Sequence, residues 1–415
     1  MSVKLAIDGG KPVRKKPFPP RIMLDEREKA AALRVIEKSM TGPEAIDMYG
    51  QGPEVEAYRA EFAKRIGTRF AAAVSSGTAA VHTALAALRL EPGAEVITSP
   101  ITDPGTVTPI VMMNCIPIFA DVDYATLNVT ADTIAAKITK YTKAIIPVHL
   151  AGQPCDMAPI MKLARKHKLA VIEDCAQAHG STYHGKCVGA IGDLGTFSLM
   201  GGKHMTSGGQ GGMITTNNEA LFWNAKRFAD RGKPFNSRSK SNVMLGLNYR
   251  MSELEAAMGR PQLKKLPGRI RKRRSLLKKL QKALSTLQAH RLWTIIDDTE
   301  TNPWFILLHY DRSRMTVSKA TCAAAIGAEG IRIAANYVAP LYRDTWLRQR
   351  ASYGKSQYPW NGAGKRRITY EGSCPEAERA YADYMILYFH EGCEDDYIQD
   401  IAAALAKVEG AYLKQ

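Results

Sequence analysis

Leu169-Ala170-Val171-Ile172-Glu173-Asp174-Cys175-Ala176-Gln177-Ala178-His179-Gly180 is the stretch that decides the fold. It opens on a continuous apolar run, which reads as a short strand buried on both faces. The run ends at two carboxylates. In open α/β sheets ligands bind at the carboxyl ends of such strands. Asp174 therefore lies where a carboxylate can hold a proton on a heteroaromatic nitrogen, or equally cap the helix that follows. His179, beside Gly180, reads either as a residue facing a substrate or as a structural turn residue.

The same texture continues outward in both directions. Strands are expected at 70–75, 95–98, 116–121 and 144–150 on one side, and at 196–199 and 213–216 on the other. Helical spacing falls between them, at 79–88, 134–137 and 160–166. Two further helices are expected earlier, at 26–36 and at 55–66, where Tyr58, Phe62 and Ile66 recur every four residues. Such alternation predicts an α/β fold with a mostly parallel sheet covered on both faces. Residues 1–20, rich in Gly, Pro and Lys, read as an arm and not as a packed element. After about residue 260 the pattern changes. A basic helix at 263–284 leads into a mixed region with polar stretches at 297–302 and 350–365, and an amphipathic helix covers 395–413. The expected organisation is an arm (1–20), a large α/β domain (21–262), and a small α+β domain (263–415) entered through the basic helix.

Composition narrows the function classes. Of 415 residues, 45 % are hydrophobic and 23 % charged, which fits a folded chain and argues against wholesale disorder. No apolar run approaches the length of a membrane span, and the start lacks the apolar core of a secretory leader. The seven cysteines are odd in number and none is paired at CxxC spacing. That argues for reduced thiols and a cytoplasmic setting, against a disulfide scaffold, and for no metal site. Lys plus Arg number 57 against 40 acidic residues, a net charge of +17. The densest run, Arg269-Ile270-Arg271-Lys272-Arg273-Arg274, reads as the solvated face of a long helix. No nucleic-acid-binding signature accompanies it, so neither nucleic acid nor membrane is expected as a partner.

Three more motifs join Asp174. Ser75-Ser76-Gly77-Thr78-Ala79 stands between a strand and a helix. It suits a phosphate on the helix N-terminus, and it also suits a plain N-cap. Thr196-Phe197-Ser198-Leu199-Met200-Gly201-Gly202-Lys203 runs into the glycine-rich turn Gly208-Gly209-Gln210-Gly211-Gly212. A lysine held there is either a solvated loop residue or a desolvated amine fit for Schiff-base chemistry. Gly246-Leu247-Asn248-Tyr249-Arg250-Met251-Ser252-Glu253-Leu254 reads as a loop entering a helix. Asn248 and Arg250 either reach an anion across a subunit interface or serve capping and solvation. Together the motifs supply a phosphate cradle, an acid for a pyridinium nitrogen, and a lysine 29 positions later (203 − 174). Pyridoxal phosphate needs all three.

In this ordered set the chain resembles the DegT/StrS-type sugar aminotransferases, within the aspartate-aminotransferase-like fold (pyridoxal-phosphate fold type I). The likeness runs from about Leu5 to Val408. It includes residues 7–14, Ser76-Gly77-Thr78-Ala79-Ala80, residues 147–152, and the three motifs around Asp174, Lys203 and Asn248. The resemblance implies that Lys203 is the Schiff-base lysine, that Asp174 partners the pyridine nitrogen, and that Gln177 lies near the ring hydroxyl. It implies that Gly77, Thr78 and Ser198 bind the phosphate. Asn248 matches a residue that reaches the phosphate of the neighbouring subunit, which implies a homodimer with shared active sites. His179 and Arg250 stand as candidates for holding the substrate or the amino donor. Two departures stand out. The expected ring-stacking aromatic is replaced by Asp103 in an ungapped alignment, and Gln210 replaces a glutamate in the glycine-rich turn.

The implied reaction moves an amino group from glutamate or glutamine to a keto-sugar or keto-cyclitol, in amino-sugar, aminocyclitol or surface-polysaccharide biosynthesis. The alternatives are a pyridoxal-phosphate-dependent dehydratase or aromatising enzyme on a sugar-like substrate, and a binding protein on the same fold without turnover.

Overall fold

The computed structural model describes residues 4–42, 46–49, 51–363, 366 and 368–414. Residues 1–3 of the expected arm, and 364 and 365 of the second polar stretch, lie outside them. Two helices, α1 (Glu26–Thr41) and α2 (Pro53–Ile66), lead into β1 (Phe70–Val74), α3 (Gly77–Ala87), β2 (Glu95–Thr98), α4 (Pro104–Met112) and β3 (Ile116–Phe119). Then come α5 (Ala131–Ala135), β4 (Thr142–Ile146), α6 (Met157–His167) and β5 (Ala170–Asp174). A hairpin of β6 (Thr182–Tyr183) and β7 (Lys186–Cys187) precedes β8 (Leu194–Ser198), β9 (Gly212–Thr216), α7 (Glu219–Phe228) and α8 (Glu253–Ala283).

Seven strands form the central sheet in the order β1-β9-β8-β5-β4-β2-β3. Only β9 runs against the rest, pairing antiparallel with both β1 and β8. The sheet is thus mostly parallel, as its unbroken apolar strands require. Val96, Ile97, Ile145, Ile146, Val171 and Ile172 are buried from both sides. Helix α3 is alanine-rich and buried almost all round, so it can lie flat between the sheet and the flanking α4 and α7. The parallel strands β5 and β8 end side by side at Asp174 and Ser198, which sets both residues on one rim.

Beyond α8 come β10 (His290–Leu292), β11 (Thr299–Glu300), β12 (Ile306–Tyr310), α9 (Lys319–Ala328) and β13 (Ile333–Ala334). They are followed by α10 (Thr345–Gln349), α11 (Pro375–Asp383), β14 (Tyr384–Leu387) and α12 (Asp395–Tyr412). A second, antiparallel sheet has the order β10-β12-β14-β13.

Three expectations need correction. First, the basic helix starts ten residues early, at Glu253, because Ser252 and Glu255 form a capping box; it carries Pro261 and Pro267 inside it. It runs through the expected boundary at 262/263, packing on α1 and α2 as well as on α12. Second, the arm is packed. Leu5 and Arg14 are buried, Arg14 reaches Asp400 at 2.6 Å, and Glu329 accepts from the N–H groups of Ala6 and Val13. Third, the basic run is not simply a solvated face, since Arg269 and Arg273 are buried. Helical periodicity turns these two inward while their neighbours face out. Among the described residues no helix is long and apolar enough to cross a membrane.

Candidate active site

A cavity of about 230 Å³ opens at the carboxyl ends of β5 and β8 and at the N-terminus of α3. Of the residues singled out from the sequence it gathers Gly77, Thr78, Asp174, Gln177, Ser198 and Lys203, together with Asp103 and Gln210.

At the α3 end, Ser76 caps the helix, its hydroxyl accepting from the N–H of Ala79 at 3.0 Å. The two readings of this motif are compatible, because the N–H groups of Gly77 and Thr78 remain without intrahelical acceptors and face the positive end of the helix dipole. Glycine is required at 77 by contact. A Cβ there would lie 2.6 Å from Cβ of Ser198, so only glycine lets the helix start approach the end of β8. The Ser198 hydroxyl stands 3.0 Å from that position.

Asp174 is buried at the end of β5. One carboxylate oxygen accepts from the Thr106 hydroxyl at 2.7 Å and the other from the N–H of Ala176 at 3.0 Å. Burial pushes its pKa up, while those hydrogen bonds and the nearby Lys203 pull it down. Its neighbour Glu173 points the other way. Glu173 accepts from the N–H groups of Ile191 and Gly192 and pairs with His149 at 3.1 Å, which ties the sheet to the following loop. Gln177 uses both ends of its amide. Its oxygen accepts from the N–H of Ala151 at 2.8 Å, and its nitrogen donates to the hydroxyl of Tyr337 at 2.9 Å.

Lys203 sits on the loop that joins β8 to β9. The loop is pinned by backbone bonds from Leu199 to Gly211 and from Gly201 to Gly209. Its Nζ has no hydrogen-bond acceptor among the described residues and lies 3.5 Å from the centroid of the Trp304 ring. Burial lowers the amine's pKa to about 8, against the pull of Asp174 and Asp103. Two residues that the sequence did not suggest hold this loop. Arg21 donates to the carbonyls of Gly202 and Lys203 at 2.9 and 2.6 Å, and the Trp304 indole donates to that of Gly202 at 3.0 Å. Tyr337, which fixes Gln177, is a third.

Three candidates are placed elsewhere. His179 is buried away from the cavity, with its ring against Phe197 and His204 and neither ring nitrogen bonded; burial lowers its pKa to about 3. It cannot touch a substrate from there, and this corrects its candidacy. Arg250 is spent on Asp47 and Asp230, each at 2.8 Å, and so has no free edge for a donor within this chain. Asn248 is exposed outside the cavity, on the loop before α8. Asp103 caps α4, accepting from the N–H of Gly105 at 2.8 Å, and still lines the cavity; the aromatic ring beside Lys203 is that of Trp304, while the ring of Phe197 packs against Phe62 and His179.

The mostly parallel sheet, with a glycine-started helix, a buried acid and a buried lysine at one rim, defines the class: an aminotransferase fold of type I. The particular family follows from comparison. The profile described as the DegT/DnrJ/EryC1/StrS aminotransferase family matches residues 34–406, and the chain belongs to that family. The chain is 32 % identical to the "Putative L-glutamine:3-amino-2,3-dideoxy-scyllo-inosose aminotransferase" of Streptoalloteichus tenebrarius, over 98 % of each chain. It is 39 % identical to the GDP-perosamine synthase of Escherichia coli O157:H7, over 58 % of this chain and 66 % of that protein. Among solved structures, the aminotransferase from Psychrobacter cryohalolentis superposes with a TM-score of 0.83 at 30 % identity, over 95 % of this chain and 98 % of that one.

Proposed function

We propose that this aminotransferase holds pyridoxal 5'-phosphate in the Lys203 cavity and moves an amino group from glutamate or glutamine to a keto-sugar or keto-cyclitol. The observation that carries the reading is the amine of Lys203, buried without an acceptor in the same cavity as Asp174 and the open N-terminus of α3. The residues fit the group. The unbonded N–H groups of Gly77 and Thr78, with the Ser198 hydroxyl, would hold a phosphate. The buried Asp174 would hold a protonated ring nitrogen, whose charge would offset the cost of burying the carboxylate. Gln177, locked by Ala151 and Tyr337, would keep one edge of the ring in place.

When bound, the cofactor supplies an electron sink for breaking bonds at the substrate Cα. The chain supplies the rest. With a pKa near 8, the Lys203 amine is neutral in an appreciable fraction of molecules at physiological pH, so it could condense with a carbonyl with loss of water and, once the incoming donor amine has displaced it, take and return the Cα proton. The Trp304 ring, 3.5 Å from Nζ, covers that amine against water.

The proposal extends to the assembly. Ile22, Met40 and Leu245 stand exposed, and Leu245 shares a loop with Asn248. These residues would be covered in a homodimer in which Asn248 completes the partner's site. A large and a small unit would be joined through α8 (Glu253–Ala283), and seven unpaired cysteines suit a cytoplasmic setting.

The test is the absorbance of the purified protein with pyridoxal phosphate, beside Lys203→Ala, before and after glutamine or glutamate. The expected result is a visible band in wild type alone, bleached by the donor, from a species that light scattering weighs as two chains. Absence of the band in wild type overturns the cofactor assignment, and a band that survives in Lys203→Ala overturns the role of the lysine.

A further inference from the structure

The turn that carries Lys203 has neither helix nor strand, so its backbone carbonyls must find partners elsewhere. Those of Gly202, Lys203 and His204 are all met by side chains from distant segments. Arg21 donates from Nη1 to Gly202 at 2.9 Å and from Nη2 to Lys203 at 2.6 Å. Trp304 Nε1 donates to Gly202 at 3.0 Å, and Arg269 Nη1 to His204 at 3.2 Å. Nothing else among the described residues donates to the Lys203 carbonyl. The remaining nitrogen of Arg21, Nε, donates to Glu391 at 3.0 Å, so the whole guanidinium is committed. Glu391, on the loop between β14 and α12, also takes Arg273 at 2.6 Å, and Arg273 donates onward to the carbonyl of Pro303 at 2.5 Å. One carboxylate thus orders both the backbone of the lysine and the segment whose Trp304 ring covers the amine. The chain around Arg21 is itself anchored. The carbonyl of Met23 accepts from Gln262, Lys265 and Arg269 of α8. A Cβ on Gly392 would lie 2.4 Å from the carbonyl oxygen of Pro20, so glycine there lets the Glu391 loop close on the Arg21 segment. A planar fork fixed by a carboxylate can span two successive carbonyls in one set geometry, which a flexible ammonium cannot.

We infer that Arg21 is a positioning residue for Lys203: by holding two successive carbonyls of the turn it keeps the amine buried against Trp304, in the cavity of Asp174, and so sets how readily that amine reacts. Arg21 does not line this cavity, so its effect passes through the backbone. The inference rests on the aminotransferase reading only in taking Lys203 as the reacting amine. Burial is what lowers the pKa of that amine, against the pull of Asp174 and Asp103. A turn freed from Arg21 lets the amine reach water, and its proton affinity then returns toward that of an ordinary lysine. Asp174 and Asp103 themselves are untouched by a change at Arg21.

The test is competitive acetylation of the cofactor-free protein between about pH 6 and pH 10, read at Lys203 by peptide mass spectrometry. Beside it, the rate at which the visible band forms with pyridoxal phosphate is recorded, and thermal melting shows whether each variant is folded. Wild-type Lys203 is expected to titrate near pH 8. Arg21→Met is expected to melt cooperatively, to titrate about one unit higher, and to form the band about tenfold more slowly, in step with the smaller neutral fraction of the amine. Arg21→Lys, which keeps the charge without the planar fork, is expected to fall between the two. An arginine that merely ties down the arm would lower the melting point and leave the midpoint of Lys203 where it is. An unchanged midpoint in folded Arg21→Met therefore overturns the inference. If Arg21→Met does not fold, Arg21→Lys decides by the same midpoint: a raised value supports the role and an unchanged one overturns it. A missing band in wild type strikes the aminotransferase reading, whereas the midpoint, measured without the cofactor, still decides the role of Arg21.

Discussion

Lys203 and Arg273 are two buried cations given opposite surroundings. Arg273 is 1 % exposed and is met on every side: Nε donates to Glu391 at 2.7 Å and Nη1 to the carbonyl of Pro303 at 2.5 Å. Lys203 is 7 % exposed and faces only an aromatic ring. Burial lowers both pKa values, to about 10 for Arg273 and about 8 for Lys203. The guanidinium therefore stays charged at neutral pH and serves the fold, while the amine is brought close to its titration point and is free to react. What sets Lys203 apart is a buried donor left without an acceptor among the described residues, the feature on which the proposed function rests.

The largest effect that would break this contrast lies at Arg273. Arg273→Met leaves Glu391 buried with its main partner gone and is expected to cost about 3–5 kcal/mol in urea unfolding, while Arg273→Met with Glu391→Gln is expected to recover most of that loss. The ion pair also has a pH signature. Glu391, though its burial opposes ionisation, is held at about 2, below its ordinary 4.5, by Arg273 and Arg21. Its folded-state pKa is depressed, so its contribution of about 3 kcal/mol is complete above pH 4.5 and is lost as pH falls toward 2. The double variant should lack that acid limb. A single variant as stable as wild type would remove the structural half of the comparison.

Lys203 should behave in the opposite way. Lys203→Met keeps the volume and removes the charge, so in cofactor-free protein it is expected to stabilise the fold, by up to about 3 kcal/mol at pH 7. The sign follows from the lowered pKa. Below pH 8 the lysine is charged in both states and the folded state carries the full desolvation cost. Between about 8 and 10.5 the unfolded chain binds the extra proton, so wild-type stability rises with pH and the advantage of methionine fades. Melting curves of the two proteins at pH 7 and pH 10 check this. A destabilised methionine variant at pH 7 would mean that the lysine is a structural residue after all.

The two cations also differ in how far they could be read from the sequence. Lys203 was legible because its glycine-rich turn and its distance from Asp174 are local features, and the strand-turn-helix order at Gly77 and Asp174 fixed the rim on which they meet. Trp304 was not, because it is 101 positions beyond Lys203 (304 − 203) and a lone aromatic outside a periodic run carries no local signal. Arg21 and Tyr337 escaped for the same reason. Arg269 and Arg273 were hidden inside a charge run, where only the helix phase separates the inward pair from Arg271 and Lys272. The early start of α8 had a signal in Ser252 and Glu255, outweighed by Pro261 and Pro267 inside the helix. The sequence did not show that His179 is turned away from the cavity or that Arg250 is paired with Asp47 and Asp230, because residue type and neighbourhood do not say which way a side chain faces or whether its partners are already taken.

The smallest expected effect sharpens the idea that unspent donors mark function, since it moves the test from side chains to backbone. The N–H groups of Gly77 and Thr78 are unspent for the same reason as Lys203: nothing among the described residues accepts from them. Gly77→Ala places a Cβ 2.6 Å from Cβ of Ser198, and the helix start must retreat or Ser198 must yield. Ser198 is a short side chain at a strand end facing a cavity, so the cost to folding should be modest, about 1 kcal/mol, at the low end of overpacking penalties. The retreat would move both N–H groups away from a bound phosphate, and affinity for pyridoxal phosphate is expected to fall about tenfold. Pyridoxal without its phosphate is the control. Its affinity should hardly change, because it makes no use of the helix N-terminus. An equal loss for both compounds would place the phosphate elsewhere and leave the α3 N-terminus as no more than the cap that Ser76 already supplies.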